Sequence, residues 1–339
     1  MRSMKWMVVA LLGSTLAACG GGGSSGSAVN ARAMLNPEAG SSYNRSLPDA
    51  GGGDATYVGT GGNYNAAQLS ELNRPNFTLL LIQSMVEANI LGNTFQRPDT
   101  STGSASGTTV GDIRKMEEAV VAEAERSFAT NPYQARPVSE TVGCYGGGNL
   151  TITGDLDNST GTGTLDVNYG DCIVGNILVR GIGKLVINAK NLTYDKFSDF
   201  TFQYNDLSIY NWETNELHLY TGARQVTKTI VNGITTDFKV QSDLHRLNHD
   251  TQLHTYDGTL YQAARSGEQI KGTMCDNVHG CVEVSTRIQV PADASQGEIT
   301  MTGLNNSAIR IRVYNGGLYA EVDGEGDGSY GQAIHIFSF

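Results

Sequence analysis

Tryptophan is scarce in this chain, with two among 339 residues, and so are proline, with seven, and cysteine, with five. No apolar run approaches the roughly 20 residues that a membrane-crossing helix requires. An integral helical membrane protein is therefore excluded. Basic residues are also short: 23 lysines and arginines face 34 aspartates and glutamates, a net charge of −11. A nucleic-acid surface needs basic stripes, and none is present. Catalytic signatures are missing as well. No Cys-x-x-Cys pair suggests a zinc ribbon, and no His-Glu-x-x-His helix suggests a metalloprotease. No Gly-x-Ser-x-Gly elbow stands between a strand and a helix. The segment Cys144-Tyr145-Gly146-Gly147-Gly148 lacks the lysine and following helix of a phosphate-cradling loop, and its glycines suit a bulge or tight turn. These absences lead to the expectation of a protein without catalytic chemistry.

What is present begins at the amino end. Arg2 and Lys5 precede the apolar run Trp6–Leu12, the charged-then-apolar order of a secretory signal. The run ends in Leu16-Ala17-Ala18-Cys19, which resembles the lipobox of bacterial lipoproteins. The resemblance implies a signal peptide over residues 1–18, cleavage before Cys19, and lipidation of the Cys19 thiol and amine. Several acyl chains make a lasting anchor, whereas a single one binds only marginally. The next residues, Gly20 to Ser27, form a flexible Gly/Ser tether. Gly20 is not the aspartate that resembles an inner-membrane retention signal. The expected address is thus the outer membrane, at its periplasmic face or at the cell surface. Loss of Arg2 and Lys5 leaves a net charge of −13, which holds the body off an anionic bilayer.

Composition divides the remainder. Residues 19–70 read as the lipidated cysteine and a Gly/Ser-rich leader, and residues 71–135 as a two-helix segment. One helix is expected over Phe77–Leu91, apolar almost all round, with Pro75 near its start. The second is expected from Asp112 to Phe128, with Ile113, Met116, Val120 and Phe128 on one face. Glu117, Glu118, Glu123, Glu125 and Arg126 are read as its polar remainder. Over residues 138–339 the apolar period becomes two, as in Leu165/Val167/Tyr169, Phe200/Phe202/Tyr204 and Ile309/Ile311/Val313, with Arg310 and Arg312 facing outward. Asn232-Gly233, Asp257-Gly258 and Asn315-Gly316-Gly317 read as turns. The expected fold is mainly β (α+β): a long antiparallel meander, curved as an open barrel or a sandwich and covered by the two helices. That arrangement resembles the open-barrel lipoprotein carriers of the bacterial envelope. The Cys144–Gly148 segment, Cys172 and the run Asp323–Gly328 resemble a pattern in uncharacterised Gram-negative envelope proteins, a family with no established activity.

Removing Cys19 leaves four cysteines, an even number suited to an oxidising compartment. Cys275 with Cys281 would staple a hairpin and Cys144 with Cys172 a larger loop, although spacing alone leaves the other two pairings open. Asp323-x-Glu325-x-Asp327-Gly328 resembles the first half of a calcium loop, yet position twelve is Ile334 instead of a glutamate. An acidic hairpin turn explains it equally well, so no cofactor is expected beyond this candidate calcium site. His245, His249 and His254 read as turn and cross-strand histidines. The aromatics from Tyr194 to Tyr220 read chiefly as core, with a binding platform as the sharper alternative. Two functions follow as expectations. The first is a non-catalytic, membrane-anchored scaffold binding an envelope protein or glycan. The second is a carrier of a lipid or small apolar ligand in a cavity between sheet and helices.

Overall fold

A chain that alternates apolar and polar residues over two hundred positions must find one wet face and one dry one, and a meander is the simplest solution. The computed structural model describes residues 65–88, 110–129 and 137–338, apart from Tyr145, Asn158, 175–176, 213–214, Arg265, 292–293 and Asn315. Its strands are β1 (Pro137–Gly143), β2 (Asn149–Leu156), β3 (Gly163–Val174), β4 (Ile177–Asn191), β5 (Lys196–Asn211), β6 (Glu216–Val231) and β7 (Ile234–Asn248). They continue as β8 (Leu253–Ala264), β9 (Gly267–Asp276), β10 (Gly280–Ile288), β11 (Gln296–Thr302), β12 (Ala308–Tyr314), β13 (Gly317–Asp323) and β14 (Ile334–Ser338). All fourteen form one sheet in sequence order, every neighbouring pair being antiparallel, with β1 and β14 at its edges. The mainly β meander expected from the sequence is the observed fold. Asn232-Gly233 and the segment before Gly317 do turn the chain, but Asp257 and Gly258 lie inside β8. Their turn-like composition is overridden there by pairing with β7 and β9.

Among the described residues two helices precede the sheet, α1 (Arg74–Glu87) and α2 (Val110–Ala129). Helix α1 starts three residues before the expected Phe77. Pro75 fits its first turn, where an N–H has no helical partner to lose. Asn73 orients the entry: its Oδ1 accepts the Ser70 N–H at 2.9 Å and its Nδ2 donates to the Gln68 carbonyl at 2.9 Å. Phe77, Leu80, Leu81, Ser84, Met85 and Ala88 are buried, a stripe at helical spacing, while Leu79 faces outward. On α2 the buried stripe is Met116, Glu117, Val120, Val121, Ala124 and Glu125. The sequence reading placed Glu117 and Glu125 on the polar face, and both are in fact buried. Each is satisfied there: Glu125 accepts the Phe197 N–H at 2.8 Å and pairs with Lys196 at 2.9 Å. Ile113 and Phe128, expected on the apolar face, lie outside the residues whose side chains are described.

Each helix fills its own part of the sheet. One apolar core joins Ala67, Leu69 and the α1 stripe to inward residues of β7 to β13, including Tyr261, Met274, Ile299, Ile311 and Leu318. The other joins the α2 stripe to β2 to β7, including Ile152, Val167, Leu185, Phe202 and Tyr220. Val226 on β6 touches both. No helix among the described residues is long and apolar enough to cross a membrane.

A crease crosses the long strands between these cores. Pairing slips by one residue between Tyr169 and Cys172 in β3, and between Tyr204 and Leu207 in β5. The extra residues, Asp171 and Asp206, are both left-handed with φ 54°. Such insertions bend a strand and increase its local twist. Each aspartate also fixes its bulge through a neighbour: Asp171 pairs with Arg180, and Asp206 accepts the Thr221 hydroxyl at 2.9 Å. Gly222 on β6 continues the line at φ 126°, where a Cβ would lie 2.0 Å from the Asp243 carbonyl oxygen. Only glycine permits that approach.

Two disulfides close the outline. Cys144–Cys172 ties the turn after β1 to β3, and Cys275–Cys281 joins facing positions of the β9–β10 hairpin. At that hairpin the leader's last residues are ordered, for Ala66 bridges to Cys281. Residues 1–64, which hold Cys19 and the expected signal peptide and most of the expected leader, lie outside the described residues.

Candidate binding surface

Strand alternation decides which side chains reach the outer face. On β12, Ile309, Ile311 and Val313 enter the core, so Arg310, Arg312 and Tyr314 point outward. Register then builds a row across four strands: Glu298 on β11 faces Arg312, Arg312 faces Tyr319 on β13, and Tyr319 faces His335 on β14. Arg287 extends the row through its 3.2 Å pair with Glu298. A second row sets Arg310 opposite Glu321. Glu321, buried beneath the two arginines, accepts from Arg310 Nε at 2.7 Å and from Arg312 at 3.1 Å.

The aromatic rings stand on this charged lattice. Tyr314 and Tyr319 stack with centroids 4.2 Å apart, and Tyr319 meets His335 at 5.1 Å. Gly317, directly opposite Tyr314, leaves the space they use. A Cβ there would come within 3.1 Å of the Tyr319 ring and 3.3 Å of His335 Nε2. Arg310 lies 3.8 Å from the Tyr330 ring centroid, and Arg312 lies 5.3 Å from that of Tyr314. Desolvation raises the Tyr330 phenol above its ordinary pKa, opposed by Arg310. The result is a half-exposed patch of guanidinium and phenol groups held in place by one buried carboxylate. Arginine and tyrosine are the side chains that most often anchor protein interfaces, because each presents much rigid area with a polar end. Such a patch can grip a polar or anionic ligand by stacking and bidentate hydrogen bonds.

The expected site residues fall as follows. Cys19 is not among the described residues. The four remaining cysteines form the two disulfides already given. Asp323 is buried, and its two carboxylate oxygens accept the N–H groups of Gly326 at 2.7 Å and Gly328 at 2.8 Å. Asp327 accepts the Ser329 N–H at 2.7 Å, and Glu325 is exposed. Each aspartate thus caps its own loop. Among the described residues no three histidine, cysteine, aspartate or glutamate side chains stand where they could hold a metal ion. His245 stacks on Tyr256 at 4.7 Å, and His249 and His254 flank the β7–β8 turn. Of the aromatic stretch, Phe197, Phe200, Phe202, Tyr204 and Tyr220 are core, whereas Tyr194 and Trp212 are exposed at strand ends. The outward reading of Arg310 and Arg312 was available from alternation alone. The stacked tyrosines were not, because Tyr314 and Tyr319 meet only through the β12–β13 register.

Sequence reasoning also missed a buried polar seam between the two cores. Glu117 on α2 accepts from Arg224 on β6 at 3.0 Å and from the Tyr204 hydroxyl. Glu117 is 5% exposed and Arg224 2%. Beyond Arg224, Asp257 on β8 accepts the hydroxyls of Ser84 at 2.9 Å and Thr259 at 2.7 Å. Burial raises the Asp257 pKa, although Thr259, Ser84 and Arg224 oppose it. A signal for Glu117 did exist: it shares the i, i+4, i+7 stripe with Val121 and Ala124. Beside the seam lies a cleft of about 20 Å3, lined by residues including Leu80, Tyr220, Leu244 and Arg246. That space is about the size of a single water molecule.

No family model, curated protein or solved structure matches this chain.

Proposed function

We propose that this protein is a non-catalytic scaffold of the bacterial envelope, tethered through acyl chains on Cys19, that holds a partner on the outer face of β11–β14. The observation that carries this reading is the apolar core between the helices and the sheet. Phe77, Leu81 and Met85 of α1 and Val120 of α2 are fully buried in it. A carrier needs an unfilled apolar cavity of several hundred Å3, and the cleft beside the seam, at about 20 Å3, offers far less. The Arg–Tyr patch is the surface that we assign to the partner, and its chemistry suits an anionic glycan or an acidic protein surface. The tether reading is supported by the lipobox and by the glycine tract after it, and the oxidising compartment by the two disulfides.

Native mass spectrometry of protein extracted from membranes tests the choice. The scaffold reading expects covalent acyl mass at Cys19 and no lipid held non-covalently. A stoichiometric non-covalent lipid lost on unfolding would return the carrier reading to first place. Photo-crosslinking from Tyr319 should capture a partner, and Arg312→Ala should abolish that capture while the fold is retained, because Arg310 still pairs with Glu321.

A further inference from the structure

Only the inner face of this sheet meets the helices, so alternation requires the outer face to be polar. Over much of the sheet it is. Asp166 pairs there with Lys184, Asn188 and Gln225 both donate to Asp199, and Gln269 donates to Gln262. Strands β4 to β7 break the rule near the end where β5 turns into β6. Ile177, Val179, Ile209, Tyr220 and Leu244 are core, so Leu178, Tyr210, Leu217, Leu219 and Leu247 point outward. All five are half-buried. Register sets them in two adjoining rows. Leu178 faces Tyr210, which faces Leu217, and one step along the strands Ser208 faces Leu219, which faces Leu247. Trp212 follows at the β5–β6 turn, 47% exposed, its ring edge-on to Tyr210 at 6.4 Å. Large apolar side chains are ordinary on a surface when scattered, and these are contiguous.

Chemistry and size indicate what covers these rows. None of the leucines, Tyr210 or Trp212 carries a charge, and Arg180, opposite Ser208 on β4, is engaged by Asp171. Interfaces with a foreign partner are about as polar as ordinary surface, whereas those between like copies are more apolar. The Arg–Tyr patch fits the first description and these rows the second. A sheet face also finds its complement in another sheet face, packed about 10 Å away. Between residue positions the rows span roughly 15 Å across the strands and 7 Å along them. Such a core is small beside the roughly 800 Å2 that each partner of a stable dimer buries. The contact is therefore weak in free solution and gains when two copies are confined to one membrane.

We propose that a second copy of this chain docks on these rows, face to face about a two-fold axis parallel to the strands. Such an axis sets the β4 side of one copy against the β6–β7 side of the other, aliphatic on aliphatic. It also keeps like ends together. The leader enters each body beside Cys281, so both copies can hang from the same bilayer, and this choice of axis alone rests on the tether reading. The outer face of β11–β14 stays free in the pair. Two Arg–Tyr patches then meet one repeating partner, which raises avidity.

The test uses the full chain carrying Cys19→Ser, so that no acyl chain contributes, and Trp6→Phe, which leaves Trp212 as the single tryptophan. Sedimentation velocity from micromolar to millimolar protein should show a reversible monomer–dimer equilibrium. Over the same range Trp212 emission should shift to the blue and resist quenching by acrylamide. Leu217→Asp and Leu247→Asp should each weaken the dimer about a hundredfold, because two-fold symmetry counts every change twice. Should an aspartate variant fail to fold, Leu217→Thr and Leu247→Thr suit a strand and should weaken it about tenfold. A monomer at every concentration would overturn the proposal. So would a dimer that survives these substitutions or leaves the Trp212 emission unchanged, since its contact would lie elsewhere. Fractionation of cells making the unaltered chain or Cys19→Ser examines the anchor separately, so either idea can fail without the other.

Discussion

Replacing Arg224 by methionine would leave the Glu117 carboxylate buried between α2 and the sheet without its guanidinium. The pair is 3.0 Å apart with side chains 2% and 6% exposed, so solvent screens it little. Removing one member of a buried pair costs about 3–5 kcal/mol, because the orphaned charge must be desolvated, protonated or hydrated by opening the structure. Glu117→Leu should cost a similar amount by stranding Arg224. The double variant is the informative one. Replacing both members by apolar residues of similar volume is often neutral or stabilising, by about 1–4 kcal/mol relative to the intact pair. The Tyr204 hydroxyl, which donates to Glu117, would lose that acceptor and limit the gain. We therefore expect each single variant to lose about 3 kcal/mol or more and the double to lie within about 1 kcal/mol of the parent. Urea unfolding followed by circular dichroism, with the disulfides intact, gives midpoints and slopes for all four proteins. Single variants each within about 0.5 kcal/mol of the parent would refute the placement of this pair in a dry seam.

Other features of the fold lead to further expectations. Asp257 has a raised pKa in the folded state, so protons bind the native protein more tightly than the unfolded chain. Its contribution to stability is full below the ordinary value of 3.8 and is lost as pH rises through the raised one. Asp257→Asn should flatten that part of the profile of melting temperature against pH, and an unchanged profile would count against its burial. Reducing Cys144–Cys172, whose residues are 28 apart in sequence, should cost about 3.6 kcal/mol by chain entropy, and Cys275–Cys281, 6 apart, about 2.2 kcal/mol. Paired serine variants measured by urea unfolding test the order of the two effects. Chelation with EGTA should leave the melting temperature unchanged, because Asp323 spends both oxygens on backbone amides. A rise that grows with added calcium would restore Asp323, Glu325 and Asp327 as ligands.

Much of the fold was legible because strand burial has a period of two and the observed strands keep to it. Leu165, Val167 and Tyr169 are all buried as their alternation required, and Arg310 and Arg312 stay outside. What escaped was set by partners distant in sequence. Glu117 shares a helical stripe with Val121 and Ala124, but nothing near it in sequence announces Arg224, its partner 107 positions later. Asp257-Gly258 has turn composition, but two neighbouring strands hold it extended. Asp171 and Asp206 gave no warning of bulges, since a single inserted residue alters no local preference. The Arg–Tyr patch was half readable: alternation exposed its arginines, while register across β11–β14 assembled the rest.

Because every strand of the sheet pairs with those next to it in the chain, no strand must wait for a distant one, although α1 must wait for β7 to β13 to cover it. Hairpins can be added one after another in the order in which residues emerge from a channel, as a zip closes from one end. The crease at Asp171 and Asp206 then bends strands that already have neighbours, and the terminal β13–β14 pair comes last. A polypeptide delivered thread-wise could thus become ordered while its tail is still on the far side.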